Sequence, residues 1–265
     1  MGEELNSILP GKEAVPSSDR QSGVDRVVDI FEELLRSRAP VRVGDLARRL
    51  GAPRSTLYNL VNRLVAAELL ETMDDDGAVF FGRAMQLYGT AYGETNPLQR
   101  HARELLETLA AEADATAQLC ALRGDKYVVL DSRSGRSLFR IATDIGVPVP
   151  LPWTASGRLL LGHKSPDEIL GLIPPDDFRL PDGRIIQPDA FLAEVAKAWD
   201  EGHCITQGLS DRFTCCLAAP IRGSRGKAAI ATLCFVIPAD RPEARRRELL
   251  QRLIEGADQL SRISR

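Results

Sequence analysis

The chain has 265 residues, of which 44% are hydrophobic and 27% are charged, and its formal net charge is −3 at pH 7. These values are typical of a soluble globular protein with room for two domains, and they exclude a general polyanion binder. Any contact with nucleic acid must therefore come from a local basic patch. The longest apolar runs are about half as long as a membrane-spanning helix, so no membrane partner is expected. The five cysteines are an odd number and favour free thiols in a cytoplasmic protein.

The first 22 residues are polar and rich in proline, serine and glycine, which predicts a disordered tail and not a signal peptide. An amphipathic helix is then predicted up to the RSRAP segment, because apolar residues recur at helical spacing. This stripe consists of Val24, Val27, Val28, Phe31, Leu34 and Leu35. A short second helix fits VGDLARRL, with Gly51 as its C-terminal stop.

A third helix is predicted three residues later, and Pro53 suits its first turn. Its apolar stripe consists of Leu57, Leu60, Val61 and Leu64. Two β-prone runs around an Asp-Asp-Gly turn follow and predict a hairpin. Two helices, a turn, a third helix and a hairpin are the element order of a winged helix-turn-helix domain, which we assign to residues 23–83.

The polar face of the third helix has the side chains that contact DNA, and no acid occurs from residue 48 to residue 64. Arginine pairs with guanine, asparagine with adenine, and serine or threonine with either. We predict that base or groove contacts come from Arg54, Ser55, Thr56, Tyr58 and Asn59, and phosphate contacts from Arg48, Arg49 and Arg63. A merely solvated face is the alternative, but the preceding turn and the following hairpin favour DNA binding.

The rest of the chain predicts a linker helix at residues 84–96 and a second domain at residues 97–265, with the boundary near Asn96 and Pro97. Beyond the boundary, β-prone runs alternate with helical patterns. These runs are TAQLCAL, KYVVLDS, LFRIAT, CCLAAPI and AAIATLCFVI. Turns such as RGDK join some of them, so the second domain is predicted to be α+β, with an antiparallel sheet flanked by helices.

Three segments carry a family resemblance. The run DLARRLGAPRSTLYNLVNRL resembles the helix-turn-helix of the IclR family of bacterial transcriptional regulators. GVPVPLPWTASGRLLLG and EGHCITQGLSDRFTCCLAAPIRGSRGKAAIATLCFV are similar to segments of that family's second domain. The resemblance covers roughly residues 23 to 262 in order.

The resemblance implies a GAF-like effector-binding domain in the C-terminal half. It also implies a homodimer or homotetramer that represses or activates transcription, with a small carboxylic or aromatic acid as effector. Carried over by position, the effector-binding residues would be Leu138, Ala155, Ser156, Thr206, Gln207, Cys216, Thr232 and Cys234. The N–H groups near Ala155 and Ser156 would then point from a helix N-terminus toward a carboxylate.

Other interpretations remain open at this level. The cysteines could be small buried hydrophobes, and Ser156 could cap its helix. Phe213, where glycine is common in the family, predicts a pocket of different size. No metal, cofactor or enzymatic activity is expected, because no zinc-ligand or nucleophile motif accompanies the thiols. The alternative function is a small-molecule enzyme or thiol redox sensor whose N-terminal helices serve in assembly.

Overall fold

The computed structural model describes residues 22–73, 77–136, 145–223 and 228–264. The chain forms two compact units, of which the first ends at Asn96 and the second begins at Pro97. Among the described residues, no helix is both long and apolar enough to cross a membrane.

The first unit combines helices with a small antiparallel sheet in which β3 lies between β1 and β2. Its elements are α1 (Gly23–Ser37), β1 (Val41–Arg42), α2 (Val43–Arg49), α3 (Arg54–Ala66), β2 (Leu70–Thr72), β3 (Ala78–Phe81) and α4 (Ala84–Thr95). The three helices and the β2–β3 hairpin have the order predicted from the sequence, so the winged helix-turn-helix is confirmed. Strand β1 was not predicted, because two residues are too few to show a period.

Local signals set the ends of the first helices. Ser22 and Asp25 form a capping box at the start of α1, which satisfies backbone N–H groups that have no partner within the helix. Gly51 has φ of +61°, so it supplies the left-handed residue that stops α2, as its position in the sequence predicts. The turn from α2 to α3 is therefore short and well determined.

The buried stripe of α1 differs from the predicted one. Ile30 and Leu34 are fully buried and Glu33 nearly so, whereas Val24 and Val28 are 73% and 49% exposed. The fully buried positions of α1 therefore begin at Ile30, whereas Val24 and Val28 lie nearer the start of the helix. Val24 and Val28 are therefore left as an apolar pair on the surface of the first unit.

The second unit is a six-stranded antiparallel sheet with helices on both faces, which confirms the predicted α+β class. Its elements are α5 (Pro97–Ala113), β4 (Thr116–Arg123), β5 (Lys126–Ser134), β6 (Val149–Pro150), α6 (Ala155–Leu161), α7 (Pro166–Leu172), α8 (Pro188–Glu201), β7 (Cys204–Gln207), β8 (Thr214–Arg222), β9 (Ala229–Pro238) and α9 (Glu243–Ile263). The strand order is β6-β5-β4-β9-β8-β7. The predicted strand LFRIAT lies within residues 137–144, outside the described residues.

Each face of the sheet has its own core. Helices α5 and α9 cover one face with aliphatic contacts, and α6, α7 and α8 cover the other. Because side chains alternate along a strand, the adjacent Cys215 and Cys216 lie on opposite faces, Cys215 in the first core and Cys216 against the second. The face under α6 carries the polar residues described below.

Candidate functional site

The polar face of α3 is exposed on the first unit. Leu57, Val61 and Leu64 are buried and Leu60 is partly buried, so the predicted apolar stripe does face the core. The α3 surface, as we call it, consists of Arg54, Ser55, Thr56, Tyr58, Asn59 and Arg63. Thr56 is half-buried and the others are exposed, so the helix presents its predicted contact residues on one accessible side.

Two kinds of arginine occur around this surface. Within the described residues, Arg54 and Arg63 have no carboxylate at salt-bridge distance. Arg48 instead pairs with Asp45, one turn earlier on α2. Arg49 Nη1 donates to Glu33 Oε1 at 3.0 Å, and the Glu33 side chain is only 8% exposed.

These pairs show that residues 48–64, which contain no acid, nevertheless have acidic partners in the fold. The acids that neutralise Arg48 and Arg49 lie outside this stretch in the sequence, at positions 45 and 33. Asp45 could have been found from its spacing of three residues on a predicted helix. Glu33 gave no comparable signal, because sixteen residues separate it from Arg49. Glu33 also pairs with Arg36, so one carboxylate serves two arginines there, whereas Arg54 and Arg63 have no carboxylate partner among the described residues.

A group of polar side chains is buried in the second unit between the sheet and α6. It spans strands β4, β5, β8 and β9, and the register places Gln118 opposite Cys234 and Cys120 opposite Thr232. The buried polar cluster, as we call it, consists of Gln118, Cys120, Tyr127, Ser156, Cys216, Thr232 and Cys234. It brings together four residues that the sequence predicted for effector binding, namely Ser156, Cys216, Thr232 and Cys234.

A hydrogen-bonded chain orients one side of the cluster. The Cys120 thiol and the Tyr127 hydroxyl are 2.9 Å apart, and the Tyr127 hydroxyl donates to Gln118 Oε1 at 3.4 Å. Because the phenol has one proton, the thiol donates to Tyr127 and Tyr127 donates to the amide. Gln118 Nε2 then has no partner among the described residues, although the residue is 1% exposed.

Two hydroxyl groups of the cluster are also buried without a hydrogen-bond partner. Ser156 is 1% exposed and Thr232 is fully buried, yet neither side-chain oxygen forms a well-aligned hydrogen bond with any described group. Both oxygens lie close enough to the Cys120 thiol to lower its pKa in part. A buried donor or acceptor without a partner costs about 1–3 kcal/mol, so three of them in one place require an explanation.

Helix α6 is fixed tightly beside the cluster. Thr154 Oγ1 accepts a hydrogen bond from the Gly157 amide at 2.9 Å, so Thr154 caps the helix and the capping role considered for Ser156 is wrong. A Cβ atom on Gly157 would lie 2.2 Å from the Leu151 carbonyl oxygen. Only glycine permits this approach, which packs the first turn of α6 against the backbone of Leu151.

The thiols of the cluster are unequal. Burial raises the pKa of the Cys120 thiol to about 12. A hydrogen bond from the Cys234 thiol lowers the pKa of Cys216, and the same contact together with burial raises the pKa of Cys234. At neutral pH the cluster therefore holds neutral thiols at Cys120 and Cys234.

The remaining predicted effector residues have different positions. Thr206 is half-buried on β7 opposite Cys216 and lies on the cluster's face. Gln207 points to the opposite face, where its Oε1 accepts from Arg246 at 3.2 Å, so the structure does not bring it to the cluster. Leu138 lies outside the described residues. Phe213 is 62% exposed and stacks on Arg212, so the expected effect of Phe213 on pocket size is wrong.

Gln118, Cys120 and Tyr127 were missed by sequence reasoning. A glutamine inside the apolar run TAQLCAL was the available signal, since a polar residue in a buried strand requires a partner. Across the described ranges, no three metal-ligating side chains converge, and the five thiols are free. The first unit thus offers exposed cations, and the second offers buried neutral donors.

Comparison with known proteins identifies both units. The sequence profile described as "IclR helix-turn-helix domain" matches residues 23–74, and that described as "Bacterial transcriptional regulator IclR C-terminal" matches residues 90–262. The HTH-type transcriptional repressor AllR of Salmonella typhi is 22% identical over 88% of this chain and 85% of its own. The HTH-type transcriptional regulator TtgV of Pseudomonas putida is 35% identical, but over only 47% of each chain.

Solved structures show the same fold. An IclR transcriptional regulator from Alicyclobacillus acidocaldarius superposes with a TM-score of 0.83 at 18% identity, covering 93% of this chain and 100% of that one. An IclR homologue from Microbacterium hydrocarbonoxydans, crystallised with 4-hydroxybenzoate, gives a TM-score of 0.77 at 24% identity, with 92% and 99% of the two chains covered. At these identities the similarity concerns the fold alone.

Proposed function

The chain belongs to the IclR family of bacterial transcriptional regulators, and from this we propose how it binds DNA and what it senses. It is a DNA-binding regulator with a helix-turn-helix domain. We propose that a homodimer binds a pseudo-palindromic operator through two copies of the α3 surface. A small aromatic or other organic acid bound at the buried polar cluster then shifts the population of dimer arrangements and hence the affinity for DNA.

The observation that carries the DNA-binding proposal is the pair of free arginines on α3. Arg54 stands at the first residue of the helix, the end that reaches base edges in this type of domain. Tyr58 and Asn59 lie one turn further along the exposed side and complete a groove-contacting set. Arg63 is better placed for phosphate, together with whatever charge Arg48 and Arg49 retain beside their acid partners.

Exposed apolar residues support a dimer. On α4, Leu87 is 68% exposed, Tyr88 is 62% exposed and Tyr92 is 46% exposed. Val24 and Val28 on α1 add a second apolar site on the same unit. Large exposed apolar side chains of this kind mark an interface, and two winged helices must be held one or more DNA turns apart. Sedimentation of the free protein distinguishes a dimer from a tetramer.

The effector proposal rests on the buried polar cluster. Its unpartnered Gln118, Ser156 and Thr232 groups supply the few convergent polar atoms that a small-molecule site needs. The 4-hydroxybenzoate complex of a protein with the same fold supports an aromatic acid. We assign the cluster a binding role and no enzymatic step, and we place the protein in the cytoplasm with its operator DNA.

A gel-shift experiment tests the DNA-binding function. Purified full-length protein is expected to retard its own promoter fragment with strong salt dependence. Absence of retardation at low salt by a folded protein, with and without candidate acids, contradicts the proposal. For the effector site, Ser156→Ala is expected to weaken effector-induced thermal stabilisation while the protein stays folded, because it removes the hydroxyl without adding volume. An unchanged thermal shift in that variant means that the effector binds elsewhere.

A further inference from the structure

The exposed side of α3 has a centre and two flanks, and two asparagines occupy the centre. Successive residues of an α-helix are turned by about 100°, so the positions on α3 can be compared by angle. The direction opposite the apolar stripe of α3 lies roughly 30° from Asn59 and roughly 30° from Asn62, on opposite sides. Tyr58 and Arg63 lie further out, each at roughly 70°. Asn62 is exposed, as Asn59 is.

Both amide groups are free to bind a partner. No described residue forms a hydrogen bond with the side chain of Asn59 or Asn62. The two residues are three positions apart on one side of the helix, so their Cβ atoms are about 5–6 Å apart. Each side chain therefore keeps its acceptor oxygen and its two N–H donors for a partner from outside the chain.

The position of these amides matters when α3 lies in a major groove. This step rests on the proposed binding of operator DNA by the α3 surface. A recognition helix turns its apolar stripe away from the groove, so the centre of its exposed side faces the base edges and its flanks face the phosphates. Asn59 and Asn62 then lie at the floor of the groove, and Arg63 lies beside its phosphate wall.

The chemistry of asparagine identifies the base. The side-chain oxygen accepts a hydrogen bond from adenine N6, and the side-chain N–H donates to adenine N7. Three residues advance an α-helix by about 4.5 Å, and stacked base pairs are about 3.4 Å apart. Two asparagines at this spacing therefore reach neighbouring base pairs.

We propose that Asn62 is a further base-contacting residue, and that Asn59 and Asn62 together read two neighbouring A·T pairs in each operator half-site. Each amide pairs with one adenine through two hydrogen bonds. Because an amide has no charge, this contact adds preference for a sequence and leaves the attraction to phosphate unchanged. Arg63 supplies that attraction from the flank.

Selection of duplexes from a random pool tests the proposal on the full-length protein. The unsubstituted protein is expected to select neighbouring A·T pairs in each half-site. Asn62→Ala is expected to lose the preference for one of these pairs and to keep the other, because alanine has no polar group to contact a base. Alanine favours an α-helix more than asparagine does, so the variant is expected to stay folded.

A modified base tests which atom Asn62 contacts. In 7-deazaadenine a C–H group replaces N7, so the acceptor is lost while pairing with thymine is kept. At the affected position, this base is expected to weaken binding of the unsubstituted protein at least fivefold and that of Asn62→Ala less than twofold. An equal loss in both proteins overturns the proposal.

Salt dependence separates a base contact from a phosphate contact. Asn62→Ala is expected to leave the slope of affinity against salt unchanged, whereas Arg63→Ala is expected to reduce it by about one. Gln251→Ala, at an exposed amide on α9, is the matched control and is expected to change neither the affinity nor the selected sequence.

Two further outcomes distinguish this proposal from DNA binding as such. An unchanged selected sequence in Asn62→Ala, or a uniform loss of affinity across all sequences, overturns the role of Asn62 and leaves DNA binding by α3 standing. Absence of binding to any duplex by the folded, unsubstituted protein at low salt contradicts DNA binding itself.

Discussion

The α3 surface and the buried polar cluster both hold polar groups without protein partners, but the meaning of that fact differs between them. At the α3 surface, water satisfies Arg54 and Arg63, so their freedom costs nothing and would be unremarkable on most helices. Inside the sheet domain, Gln118, Ser156 and Thr232 are shielded from solvent, and each missing hydrogen bond has a cost. Polar groups without a protein partner are therefore common at an exposed surface, whereas a buried one requires an explanation.

The largest effect is expected at the α3 surface, through Arg54. Arg54→Ala is expected to weaken operator binding by about 1–3 kcal/mol and to relax sequence preference, because an arginine that contacts a base edge is lost. Gel-shift titrations against the operator and against a scrambled duplex measure both quantities. Arg247→Ala, at an exposed arginine of α9 that pairs with Glu243, removes the same charge from the other unit as a control. Equal losses in the two variants would mean that α3 contributes only net charge.

A second prediction compares the two regions by one kind of substitution. Thr232→Val is expected to raise the free energy of unfolding of the ligand-free protein by about 1 kcal/mol, because it removes a buried hydroxyl without a partner. Thr56→Val on the α3 surface is expected to change it by less than about 0.5 kcal/mol, because that side chain is only half-buried. Urea denaturation measures both.

Destabilisation by Thr232→Val would show that the hydroxyl is satisfied in the ligand-free protein. The contrast between the two regions would then disappear at this position. The pair of valine variants is therefore a direct test of whether the cluster stores unsatisfied groups for a ligand.

Arg49 and Arg63, both in the first unit, differ in whether a carboxylate pairs with them. Arg49→Ala is expected to lower both DNA affinity and stability, the latter by about 0.5–1 kcal/mol, because Arg49 also pairs with the nearly buried Glu33. Arg63→Ala is expected to lower DNA affinity alone, because no described carboxylate pairs with it. Thermal unfolding and salt-dependent gel shifts separate the two effects. A loss of stability in Arg63→Ala would contradict the distinction.

The same contrast explains what the sequence could predict. The α3 surface was predicted in full, because a helix shows its faces within thirteen consecutive residues, and the turn at Gly51 and the hairpin are local as well. The antiparallel type of the sheet in the second unit was also predicted, because its strands and turns appear as short local runs in the sequence. Its register was not, because pairing depends on contacts between distant segments.

The buried polar cluster needed that register. Gln118 and Thr232 are more than a hundred residues apart, and only the pairing of β4 with β9 brings them to one face. Four of its members came from the family resemblance, whereas Gln118, Cys120 and Tyr127 required the structure. The pairing of Arg49 with Glu33 and the exposure of Val24 likewise depend on how helices pack, which no single helix pattern contains.

The smallest effect concerns pH, and it separates the two units because every cysteine lies in the second. Burial raises the pKa of Cys120 to about 12 and that of Cys204 to about 11, from an ordinary value of 9.0. Their stabilisation is fully present below pH 9, where folded and unfolded states are both protonated. As pH rises above 9, the unfolded chain releases these protons first, so stability falls through the window up to pH 11–12.

At pH 9 itself the loss is about 0.4 kcal/mol for each thiol, because half of each unfolded thiol is ionised there. Urea denaturation at pH 7.5 and pH 9 is expected to show this decrease for the second unit. Cys120→Ser is expected to remove its share, since a serine hydroxyl does not ionise in this range. A variant that loses as much stability between these pH values as the unsubstituted protein would mean that the Cys120 thiol does not resist ionisation. The assignment of a neutral thiol at Cys120 to the buried polar cluster would then be wrong.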